Sequence, residues 1–211
     1  MNLYFSPLAC SLATRIVLYE AGAEADYTQV DTKTKRVADG SDFFKINPMG
    51  QVPVLRTDDG ALLTENPAVL QYVADCFPEA KLAPNAGLER SRLQQWLSFI
   101  GTELHKAVFI PLLDPKAPEA VKSYAREKSA LRFDILQGHF STHAFLLECF
   151  SVADAYLATV LNWAAPTGTD LGQWPAVRDY HQRLLKRPSI ARAVGEEWTM
   201  HQEEQARRVK V

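Results

Sequence analysis

The sequence predicts two domains of different fold class, a small mixed α/β domain followed by an all-helical domain. Over about the first 78 residues, short strand-like stretches alternate with helix-like stretches. Residues 79–87, which include "KLAPNAG", interrupt this alternation and are typical of a linker. From residue 88 onward, apolar residues recur at helical spacing. We therefore expect the first domain at 1–78 and the second at 88–211.

The first domain is predicted to follow the order β-α-β-(loop)-β-β-α. Strands are expected at "NLYF", "DYTQVD", "QVPVLRT" and "ALLT", and the turn signal "DDG" joins the last two as a hairpin. Apolar residues at helical spacing between Ser11 and Gly22 indicate a first helix. The stretch "ENPAVLQYVADCF" predicts a second helix, with Asn66 as its N-cap and Pro67 in its first turn.

The second domain is predicted to consist of helices alone. One apolar stripe is expected at Leu93, Trp96, Leu97, Ile100 and Leu104. Another is expected at Val121, Ala125, Leu131 and Ile135. Ser151 and Asp154 have the spacing of a capping box at the start of a central, buried helix. Trp174-Pro175 begins a further helix, and the charged tail at 196–211 is expected to be a loose surface segment.

The composition argues against several classes of protein. Of the 211 residues 47% are hydrophobic and 23% charged, and the net charge of −2 lacks the basic excess of a nucleic-acid binder. No apolar run reaches the ~20 residues of a membrane span, and "MNLYFSP" lacks the features of a signal peptide. The three cysteines, Cys10, Cys76 and Cys149, show no disulfide framework. We expect a cytoplasmic protein without a metal site.

Cys10 lies where the first predicted strand gives way to the first helix. Unpaired N–H groups and the helix dipole at that position favour a thiolate, and Ser11 can donate a hydrogen bond to the same anion. The alternative is a small buried residue without chemistry, which is the usual role of a lone cysteine. Its position leaves both interpretations open, whereas Cys76 and Cys149 are expected to be structural.

Two loops have features of a binding site for an extended, charged ligand. In "NPMGQVPVL", Gly50 permits a tight turn and Pro53 indicates an edge or irregular position. A cis bond before Pro53 would turn the backbone of Val52 outward, although the sequence alone does not establish one. In "LTENPAV", the helix start at Asn66 can bind a carboxylate and Glu65 an ammonium group, which suits a zwitterion. The alternative is a helix that is merely well capped.

The stretch "SFIGTELHK" places Ser98, Thr102 and His105 at positions i, i+4 and i+7. In an α-helix these three side chains share one face, which would form a polar edge beside the apolar stripe. A lone histidine on a helix is more often structural than catalytic.

Taken together, these segments resemble the glutathione transferases, and most closely their bacterial beta class. The resemblance runs in order through "LYFSPLACSLATRI", "FFKINPMGQVPVL", "DDGALLTENPAVLQYVAD", "WLSFIGTELHK" and "SVADAYL". It implies a thioredoxin-like N-terminal domain, a C-terminal helical bundle and a homodimer. It also implies glutathione as the co-substrate and a small hydrophobic electrophile as the second substrate.

The resemblance implies a role for each matched residue. Cys10, Ser11 and His105 correspond to the catalytic group around the glutathione sulfur, with Cys10 able to form a mixed disulfide with it. Ser151 and Asp154 correspond to the family's capping box and serve folding. The expected glutathione-binding residues are Lys35, Gln51, Val52, Pro53, Glu65, Asn66 and Glu103. Among them, Lys35 would meet the glycine-end carboxylate, and Glu103 would reach glutathione bound by the partner subunit.

These observations favour glutathione conjugation, with thiol–disulfide exchange through Cys10. A glutathione-dependent isomerase is disfavoured because "PLACSLA" lacks a serine-rich start. A non-catalytic regulatory or ligand-binding relative is the alternative from another class, and such proteins usually lose the glutathione-binding residues. The electrophile site is expected to include Phe5, Leu8, Phe109 and Trp163.

Overall fold

The computed structural model describes residues 1–209, and the chain divides into two compact units. The first unit is Met1–Leu82 together with the segment that begins at Arg187, and the second is Ala83–Lys186. The first contains the sheet and the second is helical, which confirms the predicted fold class. The sequence places everything after the linker in one domain, whereas the contacts group the C-terminal segment with the first unit.

A five-stranded mixed sheet forms the centre of the first unit. Its strands are β1 (Asn2–Phe5), β2 (Asp26–Asp31), β3 (Arg36–Val37), β4 (Val54–Arg56) and β5 (Leu62–Thr64). They are arranged in the order β3-β2-β1-β4-β5. β1 and β2 pair in parallel, and the other neighbours pair antiparallel. The predicted β4–β5 hairpin is confirmed. Strand β3 was not predicted, because a strand of two residues is too short to leave a recognisable pattern in the sequence.

Among residues 1–209, three α-helices belong to the first unit: α1 (Leu12–Glu20), α2 (Asn66–Cys76) and α8 (Pro188–Val209). α1 packs against both α2 and α8. The predicted loose tail is therefore wrong as far as Val209, and its residues 210–211 lie outside the described residues. The helix is held because Ile190, Ala193 and Glu197, at positions i, i+3 and i+7, are all fully buried.

The second unit consists of helices and turns. Its α-helices are α3 (Gly87–Phe99), α4 (Ile110–Leu113), α5 (Glu119–Phe140), α6 (Val152–Leu161) and α7 (Pro175–Leu185), and a π-helical segment (Ile100–Phe109) joins α3 to α4. Every residue of α6 is buried, as predicted. The capping box is present, because Asp154 accepts hydrogen bonds from the N–H and hydroxyl of Ser151, both at 2.9 Å. Within residues 1–209 no helix has the length and apolar character of a membrane span.

The α5 helix forms as predicted, but it turns a different face inward. Of the expected apolar stripe only Ala125 is buried. The face that packs inward carries Ala125, Ser129, Phe133, Leu136 and Phe140. Val121, Leu131 and Ile135 are instead exposed, together with Tyr124. Apolar residues occur on two faces of this helix, so their spacing alone could not identify the buried one.

Candidate functional site

Cys10 lies in a tight turn between β1 and α1. The turn is closed by backbone hydrogen bonds from Ala9 N to Ser6 O (3.1 Å) and from Leu12 N to Ala9 O (3.0 Å). Leu8 adopts a left-handed conformation with φ of 60°, and its N–H donates to Glu197 Oε2 at 2.7 Å. The turn holds the thiol one residue before the N-cap of α1, where it is partly exposed.

The loop of residues 50–53 lies against this thiol. The Val52–Pro53 peptide bond is cis. Three successive carbonyl groups of the loop each accept a hydrogen bond from a different side chain: Gly50 from Lys35 Nζ (2.8 Å), Gln51 from Asn47 Nδ2 (2.7 Å) and Val52 from the Cys10 thiol (3.1 Å). In the described part of the chain, the N–H of Val52 has no acceptor. The loop therefore offers an unpaired backbone donor between a lysine and a cysteine.

Gly50 makes this arrangement possible. Its φ is +59°, and a Cβ at this position would lie 2.7 Å from a ring carbon of Phe44. Only glycine fits such a turn without strain, which agrees with the tight turn expected from the sequence. Asn47, which no sequence motif indicated, organises the same turn, because its side chain also accepts from the N–H of Met49 at 3.1 Å.

Asn66 occupies a different position from the one predicted. The N-cap of α2 is Glu65, with φ of 67°, and Asn66 is the first helical residue. Its side chain points inward, donates to Cys10 O at 2.8 Å and accepts from Thr14 at 3.4 Å. The N-cap prediction is wrong because the carbonyl of Cys10 takes up the Asn66 amide. The N–H of Ala13 also donates to this carbonyl, at 3.2 Å, so the Asn66 amide supplies its second and shorter hydrogen bond.

The start of α2 nevertheless keeps the two features expected of a zwitterion site. The carboxylate of Glu65 is exposed. The N–H of Asn66 has no acceptor among residues 1–209. A negative group and an unpaired donor at a helix start thus lie side by side.

The hydroxyl of Ser11 makes its hydrogen bonds to Ser6 and not to the Cys10 thiol. This hydroxyl is fully buried, accepts from Ser6 N at 3.2 Å and donates to Ser6 O at 3.3 Å. The structure therefore does not bring this hydroxyl to the sulfur of Cys10, because it closes the preceding turn. The backbone N–H of Ser11 finds no acceptor within the described residues, and it is the donor available beside the thiol.

A buried ion pair stabilises the cysteine turn. The guanidinium of Arg15 lies between the rings of Phe5 and Tyr27, at 4.3 and 4.1 Å from their centroids. Its Nε donates to Glu197 Oε1 at 2.9 Å, while the other carboxylate oxygen holds Leu8 N. Burial raises the pKa of Glu197 to about 7, although Arg15 and Leu8 N–H oppose the shift. Phe5 is only 2% exposed, so it does not line an electrophile site as expected.

In the second unit, His105 lies within the π-helical segment. The N–H of Ile110 bonds the carbonyl of His105, five residues back. This winding takes more residues per turn than an α-helix and rotates His105 away from Ser98 and Thr102. Those two side chains are exposed, whereas His105 is buried, so the predicted common face is wrong.

The imidazole of His105 is held by two aromatic neighbours. Its Nδ1 lies 2.7 Å from the hydroxyl of Tyr156, and its ring packs edge-on against Trp163 at 4.9 Å. Burial lowers the pKa of His105 to about 4, and Lys106 adds to the shift. The ring is therefore neutral near pH 7, and it can donate or accept a hydrogen bond but cannot supply a positive charge.

Three other predicted residues of this unit, Glu103, Phe109 and Trp163, make contacts within the unit. Glu103 forms an ion pair with Arg132 of α5. Phe109 is fully buried and packs against Phe133, and Trp163 is 7% exposed. Phe109 and Trp163 thus belong to an aromatic core and not to an open electrophile site.

Comparison with known proteins identifies the family. The family described as "Glutathione S-transferase, N-terminal domain" matches residues 2–75, and "Glutathione S-transferase, C-terminal domain" matches residues 100–188. Glutathione S-transferase GstA of Escherichia coli O157:H7 is 39% identical over 199 residues, covering 93% of this chain and 98% of that protein. This chain belongs to the glutathione S-transferase family. It is an enzyme of the transferase class, as the sequence predicts.

Solved glutathione S-transferases share the whole fold. The bacterial beta class enzyme of Sphingomonas chungbukensis is 43% identical with a TM-score of 0.90, and the match covers 93% of this chain and 98% of that one. A sphingomonad glutathione S-transferase solved with glutathione is 40% identical with a TM-score of 0.89, over 93% and 98% of the two chains. The resemblance to the beta class is confirmed.

Proposed function

We propose that this glutathione S-transferase binds reduced glutathione on its first unit and conjugates it to small hydrophobic electrophiles. The observation that carries the proposal is the loop of residues 50–53. It presents the unpaired N–H of Val52 beside the Cys10 thiol, with the Lys35 ammonium on the carbonyl of Gly50. An extended peptide can pair with such a backbone edge while its thiol lies next to Cys10.

The charges around the loop complement those of glutathione, which carries two carboxylates and one ammonium group. Lys35 would bind the glycine-end carboxylate, and the start of α2 at Asn66 would bind the γ-glutamyl carboxylate. Glu65 would hold the γ-glutamyl ammonium. Val52 would pair with the cysteinyl unit, and the exposed Gln51 would flank it. The cis bond to Pro53 would keep the Val52 backbone in this orientation.

Conjugation requires the glutathione sulfur to act as a thiolate. The thiol loses its proton to solvent, and the first turn of α1, with the unpaired N–H of Ser11, stabilises the anion. The thiolate then attacks the electrophilic carbon and forms a C–S bond. The leaving group departs with its electron pair, or an opened epoxide oxygen takes up a proton. The family resemblance also implies a catalytic role for His105, and as a neutral ring this residue would act as a hydrogen-bond donor or acceptor.

Cys10 would also support thiol–disulfide exchange. Its thiolate attacks the glutathione sulfur of a mixed disulfide, so that a Cys10–glutathione disulfide forms and the other thiol leaves as its thiolate. A second glutathione thiolate then attacks the glutathione sulfur of this disulfide. Oxidised glutathione is released and the Cys10 thiolate is regenerated, with no other redox partner required.

We further propose a homodimer in the reducing environment of the cytoplasm. The exposed apolar residues Val121, Tyr124, Leu131 and Ile135 follow one face of α5 and would be covered by a second copy. Glu103, which remains partly exposed beside Arg132, would reach glutathione bound by the partner subunit. A reducing compartment suits a reaction that consumes reduced glutathione.

Retention on immobilised glutathione tests the binding proposal. The wild-type protein should be retained and eluted by free glutathione. Lys35→Met should bind glutathione about tenfold more weakly, because one charge-assisted hydrogen bond is lost. Lys33→Met removes an exposed lysine from the same turn and should leave the affinity unchanged. Passage of the wild type through the column at low salt would contradict the proposal and favour the non-catalytic alternative.

A substrate panel on cysteine variants tests the role of Cys10. Cys10→Ala should lose glutathionylation and disulfide exchange while it keeps part of its conjugation activity toward an aryl halide. Cys76→Ala, which removes an exposed cysteine, should behave like the wild type. Disulfide exchange that survives in Cys10→Ala would exclude Cys10 from the mechanism.

A further inference from the structure

The hydroxyl of Tyr156 is a buried partner of His105 that no sequence motif indicated. Tyr156 lies on α6 and is 2% exposed, and His105 is 6% exposed. The oxygen and Nδ1 are 2.7 Å apart, which is a short hydrogen bond. The two rings meet nearly edge to face, with an angle of 87° between their planes. The contact therefore fixes both the direction and the rotation of the imidazole.

The surroundings of the pair make this contact rigid. Tyr156 sits two residues after Asp154, whose carboxylate anchors the start of α6 through Ser151 and accepts from Tyr180 at 2.8 Å. Trp163 also packs against the imidazole, with 4.9 Å between the ring centroids. Neither ring can turn far without displacing a neighbour, because protein interiors are close-packed.

The hydrogen bond also decides which nitrogen of His105 carries the proton. A neutral imidazole has one N–H donor and one acceptor nitrogen, and the bond made by one nitrogen sets the state of the other. A phenol is a better donor than a neutral imidazole N–H, so the Tyr156 hydroxyl donates to Nδ1. The proton of the ring then lies on Nε2, for which the structure of residues 1–209 gives no hydrogen-bond partner.

We propose that Tyr156 is a positioning residue that holds His105 as the Nε2–H tautomer, ready to donate a hydrogen bond in the transferase reaction. The inference rests on the proposed role of His105 in that reaction. Tyr156 would act by orienting the His105 ring and by excluding the tautomer that presents an acceptor at Nε2.

Nitrogen NMR on histidine-labelled protein tests the proposal directly. His105→Gln identifies the His105 signals by their disappearance. At pH 7 the wild type should show a protonated Nε2 and an unprotonated Nδ1 at His105. Tyr156→Phe should give a mixture of the two tautomers. Tyr180→Phe removes another buried hydroxyl of the same unit, and it should lower the stability without changing the His105 spectrum.

Steady-state kinetics supply the second readout. Tyr156→Phe should lower kcat by about 10-fold to 100-fold, as expected for a displaced catalytic group. Its KM for glutathione should stay unchanged, because the proposed glutathione-binding charges lie elsewhere. Tyr180→Phe should keep the kcat of the wild type.

The possible failures are distinguishable. A wild-type His105 protonated on Nδ1, or a tautomer that is the same in Tyr156→Phe, would overturn the positioning role. If His105→Gln kept full kcat, the role proposed for His105 in the reaction would fall, and the inference with it. Retention on immobilised glutathione would still test glutathione binding independently.

Discussion

The two units hold their principal functional side chains by different kinds of contact. In the first unit, the cysteine turn is held by hydrogen bonds to a carbonyl, an amide and a buried carboxylate. In the second, His105 is held by aromatic rings and one phenol hydroxyl. A site built on polar and charged groups depends on every partner being present, because a buried group left alone is costly. A site built on aromatic packing depends instead on the histidine remaining neutral.

Removal of Glu197 should have the largest effect on stability. Glu197→Ala removes the fully buried carboxylate that accepts from Arg15 Nε and from Leu8 N–H, and it leaves the buried Arg15 guanidinium with only the weaker contact to Glu196 as its ion pair. We expect the free energy of unfolding to fall by about 3–5 kcal/mol, measured by urea denaturation. Glu196→Ala removes the neighbouring carboxylate, which is partly exposed, and should cost less than about 1 kcal/mol. Equal losses in the two variants would contradict the importance of the buried pair.

Lowering the pH should destabilise the fold through His105 in the second unit and stabilise it through Glu197 in the first. His105 has a folded pKa of about 4, below its ordinary 6.5, so its contribution to stability is complete above pH 6.5. That contribution, roughly 3 kcal/mol, is lost as the pH falls to 4. Glu197 has a folded pKa of about 7, above its ordinary 4.5. Its contribution is present below pH 4.5 and is lost as the pH rises through 7.

Unfolding curves measured from pH 4 to 8 separate the two effects. His105→Gln should flatten the fall in stability between pH 6.5 and 4 relative to the wild type. Glu197→Gln should flatten the fall between pH 4.5 and 7, and it keeps an oxygen that can accept from Leu8 N–H. Parallel pH profiles for the wild type and both variants would show that neither group is shifted in the folded state.

The helices and strands whose apolar residues recur at a regular spacing were predictable from the sequence. The position of Cys10 followed from the first strand and the first helix. The strand "NLYF" and the helix after Ser11 place this cysteine before a helix start, as the structure shows. Glu197 was detectable, because it continues the apolar spacing of Ile190 and Ala193 on one helix face. A charged residue on such a face predicts a buried partner, and Arg15 lies among the apolar residues of α1 in the same way.

Other features depend on contacts that no local pattern contains. The rotation of His105 requires a π-helical winding, whereas the spacing of Ser98, Thr102 and His105 suits an ordinary α-helix equally well. The inward direction of the Asn66 side chain depends on the carbonyl of Cys10, which is 56 residues away in the chain. The cis bond before Pro53 likewise could not be inferred from residue types alone.

The Asn66 contact offers the smallest and most local test of the first unit. Asn66→Ala removes the 2.8 Å hydrogen bond to Cys10 O and leaves that carbonyl only the N–H of Ala13 at 3.2 Å, so we expect a loss of about 1 kcal/mol in the free energy of unfolding. The cysteine turn should also loosen, so that iodoacetamide alkylates Cys10 at an altered rate. Thr14→Val removes only the weaker 3.4 Å bond to the same amide and should change both quantities less. A larger effect of Thr14→Val would show that the Asn66 amide stabilises the fold chiefly through its contact with α1. The hydrogen bond from Asn66 to Cys10 O would then not be what holds the cysteine turn.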